Sequence, residues 1–444
     1  MSVYVRMLTI CMTAAILFTA CSSSKQPVSG KIKVMYFNEY SFGADYANLF
    51  QSSNPNIELE LAELTMERMD PNNDADLQQW LEREQPDILL LSARQYKEMA
   101  REGKLLTLDD LVKQSKYSLD SITPGVLDTL KSMGDGELYG LSPTFSSTAL
   151  FYNKDLFDRY HVEYPTDGMT WDEVLQIAER FAGEGEGNDR IYGLSLLPWE
   201  STPNGLLSKL DETAGLKWLD PVRMKLAADT AAHQQNAEKA VAAFQKEIIP
   251  YIDIKNQVID MNFYKEMPFV KGRSAMYLGD FTLFKSITAE LKSSNSTMNW
   301  DLVTEPVNPQ YPEQSSTLAL GNIFAININS PNRQAAWTFL KFAGSEELAK
   351  IKSNSTFELL SRTVAMKEMD GHSLEPFYKH KFAPVSAIPK ELPLQFLQNY
   401  NQLREQQLKE VLDKQKSIHE ALGTIQEEGQ MLLDASLLEH KQKP

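Results

Sequence analysis

Between Ile32 and Gly103 short apolar runs alternate with helix-forming stretches, and this alternation leaves the chain few architectures. Ile32–Phe37 (IKVMYF) suits a buried strand and ends at Asn38-Glu39. A helix through Ala44–Phe50 is predicted next, and Asn54-Pro55-Asn56 breaks it before a second strand, Ile57–Leu61. A helix over Asp76–Glu84, a strand over Asp87–Leu91 and a helix over Gln95–Arg101 come after it, the last closed by Gly103. Strands separated by helices pair in parallel, with the helices covering the sheet. The expected class is therefore α/β. In such sheets ligands gather at the carboxyl ends of the strands, here Asn38-Glu39-Tyr40 and Ser92-Ala93-Arg94.

The turn-rich Gly134–Pro143 separates this unit from the middle of the chain. Thr170 and Glu173 have the spacing of a capping box, and Val174, Ile177, Ala178 and Phe181 recur on one face of the helix they open. Ser274–Leu278 reads as a strand ending at Gly279-Asp280-Phe281. Ile323–Ile328 is another, and Ser330-Pro331 then opens a helix with Ala335, Ala336, Phe339, Leu340 and Ala343 as its core stripe. From Leu392 onward two amphipathic helices are expected. Gly183–Gly187 lacks the spacing of a phosphate loop and carries two acids, so it reads as a surface turn.

The N-terminus carries a different message. One basic residue, Arg6, precedes the apolar Met7–Ala20, which ends in small residues. That is the pattern of a signal peptide over residues 1–20, shorter than the ~20 apolar residues of a spanning helix. Leu17-Phe18-Thr19-Ala20-Cys21 resembles the lipobox of bacterial lipoproteins, with Phe18 where Leu is usual. The resemblance implies cleavage before Cys21 and lipidation of its thiol. The polar residues 21–31 would then be a flexible tether reaching about 15–20 Å, holding the body on the outer face of the cytoplasmic membrane. Cys11 leaves with the signal, so no thiol, disulfide or cysteine metal site is expected. The six histidines show no ligand spacing, and neither a metal nor a cofactor is expected. The net charge of −16, without a basic patch, argues against nucleic acid as a partner.

Several segments in order carry a wider resemblance. They are NPNIELE (54–60), PDILLL (86–91), GKLLTLDDL (103–111), GELYGLSP (136–143), ALFYNKDLF (149–157), PTDGMTWDEV (165–174), KGRSAMYLGDF (271–281) and INSPNRQAAWTFLKF (328–342). From about Ile32 to Ala435 the chain resembles the extracellular solute-binding proteins of ABC importers, in the family of maltose and multiple-sugar binders. The resemblance implies a two-lobed periplasmic-binding-protein-like fold, each lobe a mixed or parallel sheet flanked by helices, with a ligand cleft between the lobes. Lobe 1 would comprise residues 32–143 and 322–356, and lobe 2 residues 146–318 and 360–444. Hinge crossings fall near 143–146 and 318–322. The implied partners are a small solute, most simply a sugar or oligosaccharide, the transmembrane subunits of an ABC permease, and the membrane through the lipid anchor. A monomer is expected. Two other readings compete: a receptor presenting ligand to a sensor protein without transport, and a glycan-active enzyme. No catalytic motif such as HExxH or G-x-S-x-G supports the latter.

A sugar site uses aromatic faces for C–H surfaces and charged or amide groups for hydroxyls. By position the candidates are Asn38, Glu39, Tyr40 and Arg94 in lobe 1, Phe145 and Ser146 at the crossing, and Trp199, Glu200, Asp280 and Phe281 in lobe 2, with Phe396 as a further candidate. Two roles are open to Asn38 and Glu39, ligand contact or helix capping. Arg94 is either a cleft cation or a residue of a helix start. Phe281 stands where many family members have a stacking Trp, which favours the cleft over the core. Trp199 lies in a polar loop, Pro198–Thr202, and is expected to bind. Trp80, Trp171, Trp218, Trp300 and Trp337 are expected to pack internally. Leu91, Arg94 and Ser146 depart from maltodextrin binders, which disfavours a long maltodextrin and would suit an anionic group at Arg94.

Overall fold

The computed structural model describes residues 28–64, 74–253, 263–363, 366–383 and 392–442. The signal segment, Cys21 and most of the expected tether lie outside them. The chain divides into two compact units, Met1–Ile88 with Asn329–Phe339, and Leu89–Ile328 with Leu340–Pro444.

In the first unit the strand Gly30–Tyr36 runs parallel to Ile57–Glu63, with Val34 level with Leu61 and also with Ile88. Lys31 stands in register with Glu58 and Lys33 with Glu60, and both pairs close as ion pairs, at 3.1 and 3.5 Å. Opposite charges facing each other across neighbouring strands favour this register over its slips. The predicted helix begins earlier than Ala44 because Asn38 caps it: Glu39–Phe42, a π-helical Gly43–Ala47 and Asn48–Ser53 run on without a break. The wider π turn brings residues four apart onto one line. Phe42, Tyr46 and Phe50 accordingly all meet Phe339, with ring centroids 6.2, 6.2 and 5.2 Å away. Asp87 is buried, and its carboxylate accepts from the Lys33 amide (2.8 Å), the Ser330 hydroxyl (2.5 Å) and the Asn332 amide (3.3 Å). A buried carboxylate survives only with its lone pairs filled in this way.

The second unit is built on a mixed sheet in the order Trp300–Thr304, Thr148–Asn153, Ser274–Asp280, Tyr192–Ser195, antiparallel except for its last pair. Ser274–Asp280 is buried throughout its first six residues and runs two residues beyond the predicted end. The strand Ile323–Ile326 pairs antiparallel with Gly140–Leu141. The helix Trp171–Glu179 starts as predicted, with Glu173 accepting from the Thr170 amide at 2.7 Å and Thr170 from the Glu173 amide at 3.4 Å. Gly183, Gly185 and Gly187 all have positive φ, and a Cβ at Gly185 would meet the Asp189 carbonyl at 2.3 Å. This is a tight turn, the surface role expected of it. The two C-terminal helices are Leu394–Leu412 and Ile418–Gln442, and Leu408, Val411, Ala421, Leu422 and Ile425 bury their shared face. Each large aliphatic side chain so buried contributes about 1.5–3 kcal/mol. Trp80, Trp171, Trp300 and Trp337 are buried as expected, while Trp218 is half-buried and stacks on Tyr400 at 5.1 Å.

A short three-stranded sheet has Thr144–Ser146 at its centre, flanked antiparallel by Ala319–Leu320 and Leu359–Leu360. Among the described residues no helix is long and apolar enough to cross a membrane.

Candidate functional site

Pro198 starts a single 3-10 turn, Pro198–Glu200, closed by the Glu200 amide donating to the Leu197 carbonyl at 2.8 Å. Proline pre-sets the backbone for such a turn. The turn holds the Trp199 indole half in solvent, 50% exposed. Beside it Glu200 accepts from Lys209 at 2.9 Å, and both of those side chains are mostly buried. The second carboxylate oxygen of Glu200 is buried with no partner among the described residues. Thr202 then caps the helix Pro203–Ala214 by accepting from the Gly205 amide at 3.0 Å. A flat apolar face next to a charged pair is what a polyhydroxylated solute requires.

A second polar group lies in the same unit. Asp280 is level with Thr148, two residues past Ser146, and its carboxylate caps the helix Phe281–Ser293 by accepting from the Leu283 amide at 3.0 Å. Ser146 is exposed. Thr148 and Thr317 donate hydroxyl bonds of 2.5 and 2.6 Å to Glu305, and Ser315 donates a third. Glu305 is buried, and these donors tie residues 315–317 to the strand that begins at Thr148. Sequence reasoning missed Glu305 and Lys209. The acid comes directly after the strand Trp300–Thr304, a strand end like those of the other candidates, but its three hydroxyl donors come from segments that only the fold assembles.

Three aromatic expectations are corrected. Phe281 is 2% exposed, stacked on Phe284 with centroids 5.7 Å apart and edge-on to Phe377 at 6.1 Å. Phe145 is fully buried against Tyr378, 5.2 Å away, and Phe396 is fully buried against Tyr400 at 5.5 Å. These rings have no free face, because neighbouring side chains enclose them. Of the remaining candidates, Asn38 caps its helix, accepting from the Ser41 amide at 2.8 Å, and Glu39 is exposed. Tyr40 projects into solvent, 87% exposed. Arg94 pairs with Glu98 one turn along its own helix at 3.2 Å. Asn38, Glu39 and Tyr40 belong to the first unit, the other candidates to the second.

The helix after Trp199 also carries a buried acid. Burial pushes the Asp211 carboxyl up to about 6, although the Asn236 amide donates to it at 2.8 Å and Arg404 lies near. His233, 3.8 Å away, is pushed down by the same burial. A carboxyl that holds its proton more tightly in the folded state stabilises fully below its unfolded value, near 4, and loses that contribution as pH rises through about 6. Asp211→Asn is therefore expected to raise stability at pH 8 by up to about 2–3 kcal/mol and to change it little at pH 4. Urea midpoints of the two proteins across this range check it; a constant difference would show that ionisation of Asp211 is not the cause.

Among the described residues, no group of three or more His, Cys, Asp or Glu is placed to hold a metal ion.

The fold matches solved structures over nearly their whole length. A sugar transporter from Rhizobium etli in an open conformation is 22% identical, with 91% of this chain and 99% of that one aligned at a TM-score of 0.63. The sugar-binding protein MalE from Xanthomonas citri is 18% identical, covering 94% and 100%, again at 0.63. An ABC substrate-binding protein from Listeria monocytogenes in complex with cycloalternan is 19% identical, covering 91% and 99%, at 0.57. The mixed sheets flanked by helices are thus those of the two-lobed binding-protein fold, as the motifs implied. Residues 37–350 match the bacterial extracellular solute-binding proteins, and the chain belongs to that family.

Proposed function

We propose that this protein captures a carbohydrate outside the cytoplasmic membrane and delivers it to the permease of an ABC importer. The observation that carries this reading is the half-exposed Trp199 beside the Glu200–Lys209 pair. Similar structures described as sugar transporters, sugar-binding proteins or a cycloalternan complex point the same way. With Arg94 engaged by Glu98, an uncharged sugar fits better than an anionic one. The family is one of binders rather than catalysts. Lobe 1 (32–143 and 322–356) and lobe 2 (146–318 and 360–444) would close on the solute. Hinge crossings near 143–146 and 318–322 would let the lobes move. A monomer suffices for this role.

The test is a thermal-shift screen against maltose, D-mannitol, acarbose, galacturonate, spermidine and inorganic phosphate. Solute at a hundred times its Kd stabilises by about 2.7 kcal/mol, so at least one neutral sugar should raise the melting temperature. A response to spermidine or phosphate alone would overturn the carbohydrate reading.

The anchor is the lipid on Cys21, which two or more acyl chains would make stable. Cys21→Ala should move the protein from the membrane fraction to the soluble one. Unchanged membrane retention in that variant would exclude lipidation as the tether.

A further inference from the structure

We propose that Glu405, assisted by Asn401, is the positioning residue of the Trp199 platform. The inference rests on Trp199 being that platform, and it concerns what holds the indole in place.

The 3-10 turn carrying Trp199 is closed by two backbone bonds, Glu200 to Leu197 at 2.8 Å and Ser201 to Pro198 at 3.3 Å, and the residues that come after it tie it to the rest of the unit. Those residues are held from the C-terminal helix Leu394–Leu412, about two hundred positions away in sequence. One oxygen of Glu405 accepts from the Thr202 hydroxyl at 3.0 Å and from the Asn204 amide, also at 3.0 Å. The same Asn204 amide nitrogen donates to the Asn401 side-chain oxygen at 2.9 Å. Thr202 and Asn204 are both more than nine-tenths buried. Hydrogen bonds to an ionised acceptor are the stronger kind, and out of contact with water they hold geometry closely. The turn is also pressed from behind: a Cβ at Gly205 would lie 2.3 Å from the Glu200 carbonyl oxygen. Only glycine lets the first turn of the helix seat so near the Trp199–Glu200 backbone. Ser201, fully buried, completes the clamp with its hydroxyl on the Pro250 carbonyl at 2.5 Å.

Glu405 acts on the turn through Thr202 and Asn204, the two residues it holds directly. The C-terminal helix therefore contributes to the site by fixing the direction in which the indole points. Removing the Glu405 carboxylate leaves the buried Thr202 hydroxyl without this acceptor and the Asn204 amide with Asn401 alone, and the turn is loosened.

The experiment uses the full chain without added solute, so it does not depend on which solute binds. Acrylamide quenching of tryptophan fluorescence is measured in wild type, Glu405→Ala and Glu405→Gln, each with and without Trp199→Phe, and the difference isolates Trp199. Because the indole is already 50% exposed, full release raises its quenching constant about twofold at most. A rise of that order is expected for Glu405→Ala, while Glu405→Gln, which keeps the accepting oxygen, should match wild type. The other five tryptophans should be quenched as before. An unchanged Trp199 signal in Glu405→Ala, or a rise shared equally by all six, would overturn the proposal. Should Glu405→Ala not fold, Asn401→Ala removes one of the acceptors of Asn204 and must shift Trp199 in the same direction. No shift there overturns it equally. If Trp199 responds as expected but its replacement leaves sugar binding intact, the platform reading alone fails.

Discussion

Phe281→Ala is expected to lower the unfolding free energy of the ligand-free protein by about 3–5 kcal/mol, the cost of emptying a buried phenyl site. The ring is enclosed by Phe284 and Phe377, and it opens the helix that Asp280 caps. A cavity at this point also weakens the seat of Phe377, which contacts Phe151 on the central sheet. Urea titration of wild type and variant measures the loss. A change below about 1 kcal/mol would mean that the pocket collapses without strain or that the ring is not enclosed. Solute affinity should move far less than stability, since the ring has no free face.

Trp199→Ala should show the opposite pattern. Truncating an aromatic anchor removes on the order of 2–4 kcal/mol of binding, a loss of roughly thirty- to a thousandfold in Kd. Stability without solute should change by no more than about 0.5 kcal/mol, as for other surface positions. Calorimetric titration with the sugar that responds best in the thermal screen gives the affinity, and a Kd within threefold of wild type would remove Trp199 from the site. The two variants together form a cross-check, because each is the control for the other.

The contrast between these two aromatics also shows how far the chain could be read in advance. The strand runs, the capping box at Thr170 and the two C-terminal helices depend on neighbours a few positions apart, and they were legible to within a few residues. Pro198 and the polar residues around Trp199 likewise marked a loop from local chemistry alone. Phe281 was misassigned because its surroundings are assembled from residues 284 and 377, and no local pattern distinguishes a ring that opens a helix into solvent from one that opens it into a core. Phe145 failed for the same reason, its partner being Tyr378. Glu305 and Glu405 were invisible on a related ground. An acid becomes notable only when its donors are known, and Thr148, Thr202 and Asn204 are distant in sequence. The π-helical turn at Gly43–Ala47 had no signature beyond the four-residue spacing of Phe42, Tyr46 and Phe50.

The bond from Ser330 to Asp87 spans 243 positions, and Phe339 lies further along the chain than Ser330. The first strands to be synthesised can pair with one another early, but the buried Asp87 lacks its Ser330 and Asn332 donors until roughly three-quarters of the chain has been made. Contacts of such separation form late, because closing the intervening loop costs entropy before any burial offsets it. Until Phe339 arrives, the row of Phe42, Tyr46 and Phe50 lacks a ring that touches all three of them.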